Sequence, residues 1–357
     1  MPGLFDNFTI KSITLRNRIG VSPMCQYVSN DGMATDWHLV HLGARAVGGA
    51  GLIIAEATAV EPRGRISPKD AGLWSDEHIG PLSGITSFIS KHGSVPGLQL
   101  AHAGRKASVS RPWEGDNSLK DEEGGWETIA PSALAFGGKV WRIPEEMTHK
   151  DIQDVQNAFV AATKRAIEAG YKWLELHAAH GYLLHSFYSP LSNARTDEYG
   201  GSFENRIRFT VETLERMRGV WPESLPLAVR LSCSDWVDGG WTPEESIELA
   251  RKLKKVGADL IDCSSGFGSP DHKNYPFGPG WQVHFSEAIR REVGIATAAV
   301  GLITEPAQAN DIIAAGKADI VLLARQMLKD PYWSQQAAKA LNHDIKSVVP
   351  APYLRWI

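Results

Sequence analysis

Cysteine is scarce in this sequence: Cys25, Cys233 and Cys263 are the only three among 357 residues. An odd, sparse set with no CxxC spacing argues against a disulfide framework, a structural zinc site and a Cys-ligated iron–sulfur cluster. It fits a reducing cytoplasm, where the chain is expected to reside. No apolar run approaches the roughly 18 residues that a membrane-spanning helix needs. The opening residues Met1 to Asn7 have neither a basic n-region nor an apolar h-region, so no secretory leader is expected. Charge of one sign is lacking too. The 37 Lys and Arg stand against 41 Asp and Glu, a net charge of −4, and no long basic run exists, so neither nucleic acid nor a membrane surface is the expected partner. Also missing is a G-x-G-x-x-G turn after the first apolar run. Ser22-Pro23-Met24-Cys25 stands there instead, against a doubly wound dinucleotide-binding fold. With no repeat, low-complexity tract or linker, one domain over residues 1–357 is expected.

What is present is a rhythm. Apolar residues make up 43% of the chain, ample for a large core, and they gather in short β-branched runs followed by longer helical patterns. Strands are predicted at Ile19–Ser22, Gly51–Ala57, Pro96–Ala101, Lys172–His177, Leu225–Leu231, Asp259–Ser264, Ala296–Val300 and Asp319–Leu323. Each is nearly continuous in apolar residues, as for parallel strands covered on both faces. Helices are predicted between them, for example Ile152–Ala169 and Pro243–Val256. The second opens on Thr242-Pro243-Glu244-Glu245: a cap, a first-turn proline, then acids at the positive end of the dipole. Eight strand–helix units predict an α/β fold, a closed (β/α)8 TIM barrel. Two segments fall outside the rhythm. Phe8–Arg18 alternates around Lys11-Ser12 and predicts an N-terminal hairpin closing the barrel bottom. Ala103–Met147, with three tryptophans, Gly124-Gly125 and Gly137-Gly138, follows the third strand and predicts an insertion capping the catalytic face.

In such a barrel, reactive groups sit at the carboxyl ends of the strands. Strand one ends in Ser22-Pro23-Met24-Cys25-Gln26-Tyr27, strand two in Glu56-Ala57-Thr58, strand three in Gln99 to His102. Strand four ends in His177-Ala178-Ala179-His180-Gly181-Tyr182, strand five in Arg230, strand eight in Ala324-Arg325. His177 and His180 read three ways: a buried hydrogen-bonded pair, two ligands of a zinc hydrolase, or two N–H donors to one substrate oxygen that gains charge. The strand ends offer no obvious acid to complete a zinc site. Tyr182 is either a half-buried aromatic or a phenolic proton source. Arg230 is costly to bury alone, so it either pairs with an acid or stabilises a bound anion such as a reduced flavin ring. Gly301 and Arg325, after strands seven and eight, suit a phosphate, although such glycines also serve plain turns. Cys25 is a small hydrophobe or, beside the histidines, a thiol nucleophile.

The run from Ser192 to Phe209, through Asn193, Arg195, Asp197, Tyr199-Gly200-Gly201-Ser202 and Glu204-Asn205-Arg206, resembles the fingerprint of the Old Yellow Enzyme family. Leu15-Arg16-Asn17-Arg18, Ala101-His102-Ala103-Gly104-Arg105-Lys106 and Pro350-Ala351-Pro352-Tyr353 are similar to that family as well, so the resemblance spans essentially the whole chain. It is nearest to the bacterial xenobiotic reductases and thermophilic-like ene-reductases, which have Cys25 where other members carry threonine.

The resemblance implies an FMN enzyme, reduced by NADPH or NADH, that reduces activated C=C bonds in enones and nitro compounds. It implies that Ser22, Pro23, Met24, Cys25, Ala57, Gln99 and Arg230 line FMN, and that Gly301, Ala324 and Arg325 hold its phosphate. His177 and His180 would bind the substrate oxygen beside Tyr27 and Tyr182, with Lys106 and Trp356 near. Arg355 would enter a neighbouring subunit's site, which makes the protein a homodimer or homotetramer. Ala324 departs from the family, where glycine usually precedes the phosphate arginine. No metal is implied. Without cysteines for a cluster, hydride must come directly from the free nicotinamide.

Overall fold

The computed structural model of the chain describes residues 2–271 and 275–355. The alternating segment at the start forms a hairpin, β1 (Phe8–Ile10) against β2 (Ile13–Leu15), with Phe8 opposite Leu15. Its turn needs Lys11 in the left-handed region, φ 52°. The eight predicted strands follow as β3 (Ile19–Val21), β4 (Leu52–Ala59), β5 (Val95–Ala101) and, after two short insertion strands β6 (Ile129–Ala130) and β7 (Glu145–Glu146), β8 (Trp173–Ala178), β9 (Leu227–Ser232), β10 (Leu260–Ser264), β11 (Ala296–Ala299) and β12 (Ile320–Leu323). All eight are parallel to their neighbours, and β12 closes on β3 with Val321 opposite Ile19. The (β/α)8 barrel is therefore the observed fold.

Between the strands lie α1 (Asp36–Val47), α2 (Ile79–Lys91), α3 (His149–Glu168), α4 (Leu183–Tyr188), α5 (Phe203–Arg218), α6 (Pro243–Lys255), α7 (Val283–Val293), α8 (Pro306–Ala314), α9 (Arg325–Lys329) and α10 (Trp333–Ala340). The helix expected from Ile152 begins at His149, because Thr148 Oγ1 accepts from Asp151 N and Thr148 N donates to the Asp151 carboxylate in return, a reciprocal cap. The second barrel strand outruns its predicted end at Ala57 by two residues. A bulge between Ala55 and Ala57 lets Ala57, Thr58 and Ala59 go on pairing with Gln99, Leu100 and Ala101. Among the described residues no helix is long and apolar enough to cross a membrane.

Period-two alternation divides the barrel interior into layers. Leu52, Ile54, Trp173, Ala228, Leu260, Ala298, Ile320 and Leu322 form an apolar plug, and the hairpin residues Phe8, Ile10, Ile13 and Leu15 pack on it from below. Two residues further along the same strands the inward side chains turn polar: Glu175, Arg230 and Asp262, all buried. The barrel top is thus a charged floor over an apolar plug. The insertion after β5 packs Ala103, Ala107, Val109 and Val140 around Cys25, Tyr27 and Tyr182, so it covers that end.

Candidate active site

The loop after β3 carries Ser22 to Tyr27, and Glu56, at the β4 bulge, holds it. Glu56 Oε2 accepts from Gln26 N at 2.9 Å, and Oε1 lies 3.3 Å from His38 Nε2. Gln26 Nε2 returns a bond to Met24 O at 2.9 Å. This grip brings Tyr27, at φ 56°, beneath the insertion, where its ring meets Trp113 edge-on at 6.0 Å. Cys25 is half-buried. Burial, then the Asp70 and Glu56 carboxylates, push its thiol well up, which disfavours the thiolate that a nucleophile needs.

His177 and His180 meet edge to face, ring centroids 5.2 Å apart, and Tyr182 stands edge-on to His177 at 5.1 Å. His180 has φ 61°; its backbone N is anchored by Ser232 Oγ at 2.9 Å and its Nε2 lies 2.7 Å from Ser264 Oγ. His177 Nδ1 is buried with no hydrogen-bond partner among the described residues. Burial first, then the Arg230 charge, drive both imidazoles well below their ordinary range. Each is therefore neutral and owns one N–H to donate. Among the described residues no third His, Cys, Asp or Glu joins them at ligand-sharing distance, so the donor set does not make a zinc site. Burial likewise raises the Tyr182 phenol well above its usual value, and Lys106 Nζ sits 5.0 Å over its ring.

Below them is the charged floor. Arg230 Nε lies 3.1 Å from Asp262 Oδ2, and Nη1 donates to Ser22 Oγ at 3.1 Å. The acid of the ion-pair reading of Arg230 is Asp262, its register partner on β10. Gln99 Nε2 donates to Glu175 Oε1 at 2.7 Å, while Glu175 Oε2 is buried without a partner among the described residues. Burial, then Asp262, push Glu175 up to about 8; burial raises Asp262 also, with Arg230 pulling it back. A carboxyl whose folded value exceeds its unfolded one binds an extra proton on folding, so the stability linked to Glu175 is complete below about pH 4.5 and is lost as pH rises toward 8. Thermal midpoints of the native and Glu175→Gln proteins, compared at equal flavin content, should diverge in the variant's favour from pH 5 to 8, by up to about 1.4 kcal/mol per pH unit. Parallel curves would refute a protonated Glu175.

At the opposite wall a cavity of about 380 Å³ runs from His180, Arg230 and Ser264 to Gly301, Ala324 and Arg325. Gly301 has φ 116°, a conformation that strains any L side chain, and a Cβ there would stand 2.8 Å from Gln282 Nε2. Ala324 caps α9 at φ −105°, a negative φ outside the left-handed region that favours glycine. A buried guanidinium at one end and an exposed one at the other suit a planar ring that gains negative charge on reduction and carries a phosphate tail, as a flavin mononucleotide does. Pro23 and Met24 are half-buried in the β3 loop and Ala57 is buried beside Gln99. Arg355 does not line this cavity; it lies exposed at the far end of the chain. Trp356 lies outside the described residues. Sequence reasoning placed Glu56 at a strand end without a role and missed Glu175, Asp262 and Ser264. The period-two rule could have found Glu175 and Asp262, two residues before His177 and Ser264 on inward-facing registers.

Residues 3–344 match the sequence profile of the NADH:flavin oxidoreductase / NADH oxidase family. The chain is 48% identical over 348 residues to an NADPH dehydrogenase of Geobacillus sp., covering 97% of this chain and 96% of that protein. It is 46% identical over 351 residues to an NADPH dehydrogenase of Bacillus subtilis, covering 98% and 97%. Among solved structures, the old yellow enzyme homologue from Zymomonas mobilis superposes with a TM-score of 0.79 at 25% identity, over 98% of this chain and 97% of that one. Morphinone reductase in complex with tetrahydroNAD gives 0.79 at 25% identity, over 98% and 95%.

Proposed function

The chain belongs to the NADH:flavin oxidoreductase / NADH oxidase family, and from that premise we propose that it is an FMN-dependent ene-reductase, using NADPH to reduce activated C=C bonds of unsaturated carbonyl and nitro compounds. The observation that carries this reading is the pair of neutral imidazoles, 5.2 Å apart, at the mouth of a barrel whose floor holds a buried guanidinium. We read residues 1–357 as one FMN-binding domain. Ser22, Pro23, Met24, Cys25, Ala57, Gln99 and Arg230 would face the flavin ring, and Gly301, Ala324 and Arg325 its phosphate.

Bound there, FMN would supply hydride chemistry, accepting hydride from the nicotinamide and delivering it to the β-carbon of the substrate. The protein's share is electrostatic. His177 and His180 each donate one N–H to the substrate oxygen, and these bonds strengthen as charge builds on it, each typically worth about 3 kcal/mol of barrier. Tyr182, kept protonated by burial, gives its proton to the α-carbon. Arg230 keeps positive charge beneath the ring. Tyr27 closes the side of the cleft.

The same reading makes the protein a homodimer or homotetramer in which Arg355 reaches a neighbour's site. An exposed apolar face supports it. On α1, Trp37, Leu39 and Val40 are exposed; α9, tied to α1 by Arg45 Nη2 to Met327 O at 2.9 Å, exposes Leu328. The visible spectrum tests the core of the proposal. The purified protein should be yellow and should bleach anaerobically on addition of NADPH. A preparation that is colourless, and stays so after refolding with FMN, refutes it.

A further inference from the structure

Two loops at the barrel top each contain two consecutive residues in the left-handed region: His180 (φ 61°) and Gly181 (φ 75°) after β8, Gly266 (φ 75°) and Phe267 (φ 62°) after β10. For the histidine and the phenylalanine this costs roughly 1–3 kcal/mol each, and such a backbone persists only where its surroundings over-determine it. The loops abut closely: a Cβ on Gly181 would stand 2.3 Å from Phe267 O and 3.2 Å from Lys106 Cδ.

One side chain joins them. Lys106, from the start of the insertion, donates from Nζ to His180 O at 2.8 Å and to Phe267 O at 3.2 Å. The Tyr182 ring lies 5.0 Å from the same nitrogen and the Phe136 ring 4.6 Å. An ammonium has three donors; two are spent on carbonyls, and two aromatic faces flank the group. Arg105, next in sequence, ties Gly268 O at 2.7 Å to the same insertion. We propose that Lys106 is a positioning residue whose ammonium clamps the carbonyls of His180 and Phe267 together, and so sets the angles of the His180 ring and the Tyr182 phenol without itself touching substrate. This rests on the reading of His180 and Tyr182 as substrate groups.

The clamp depends on charge. The groups facing it are Arg105, which repels the ammonium, Asp116, which supports it, and His177 and His180, which are neutral, as is Tyr182. Burial chiefly, then Arg105, lower the amine to about 8. Above that pH the charge-assisted bonds weaken by about half and the cation–π contacts are lost.

The test uses the FMN holoenzyme with cyclohex-2-enone as probe, reading the oxidative half-reaction by stopped flow from pH 6 to 10, with hydrogen exchange of residues 179–183 and 265–268. The native enzyme should lose rate as pH rises through about 8, and both segments should lose protection together over the same range. Lys106→Met should reduce the limiting rate between about tenfold and a hundredfold at pH 7 with little change in KM, abolish the limb and raise exchange in both segments. Lys106→Arg should keep most of the rate and move the limb beyond pH 10. The limb should persist in Glu175→Gln, which removes the other group set near pH 8, whatever that change does to the plateau. A limb that survives Lys106→Met, or a rise in KM alone, overturns the proposal. If Lys106→Met does not fold, separate rather than joint loss of protection with pH in the native enzyme does so. Exchange is read without substrate, so it decides the clamp even if the histidine substitutions show the functional reading to be wrong.

Discussion

Replacing His177 and His180 together with alanine should slow reoxidation of the reduced enzyme by an enone at least about a thousandfold while flavin binding and reduction by NADPH persist. The expectation follows from where charge develops. Hydride arrival at the β-carbon places negative charge on the carbonyl oxygen, and a preorganised donor aimed at that oxygen is typically worth about 2.7–4 kcal/mol. Both donors serve one atom, so the double substitution should cost less than the sum of the singles. The protonation state adds a second signature. Both rings are held neutral by burial and by Arg230, so the rate should be flat between about pH 5.5 and 7.5. Imidazolium donors would instead lose rate as pH rose through about 6.5. Single-turnover reoxidation of the native and double-alanine proteins decides it. An unchanged rate in the variant with flavin still bound rules out the oxygen clamp.

Arg230→Met should unfold the protein more readily than any other single change at the site. Asp262 is fully buried, and removing its partner strands a charge, at a typical cost of about 3–5 kcal/mol. The cost has a definite pH sign. Asp262 without Arg230 is pushed further above its unfolded value, so it folds protonated at low pH and the penalty grows as pH rises. The variant should lie nearer to native stability at pH 5 than at pH 8. Adding Asp262→Asn removes the stranded charge and should restore most of the thermal midpoint. It should not restore tight flavin binding, because the positive charge beneath the ring is still missing. This pair of variants separates the two readings of Arg230 that the sequence leaves open. If the double variant regained both stability and flavin, the arginine would be an ion-pair partner and nothing more.

The barrel was legible because its determinants are local. A strand covered on both faces must be continuously apolar over four to eight residues, a helix must cap and repeat, and both patterns occupy a short window, as at Thr242–Val256 or Ile320–Leu323. The strand ends announced His177, His180, Tyr182 and Arg230 for the same reason: polar residues directly after an apolar run have few places to go but the barrel mouth. Their partners were decided elsewhere. Glu56 faces the β3 loop only because the β4 bulge shifts its register against β5, and Asp262 neutralises Arg230 only because β9 and β10 pair as they do. Lys106 meets carbonyls 74 and 161 residues away. The amino-acid order by itself determined which segments are strands and helices and which residues crowd one end, since hydrophobic periodicity acts between near neighbours. Only the tertiary structure decided which charges offset one another and which backbones are held in strain, since those energies depend on separations of a few ångströms that the closing of the sheet creates.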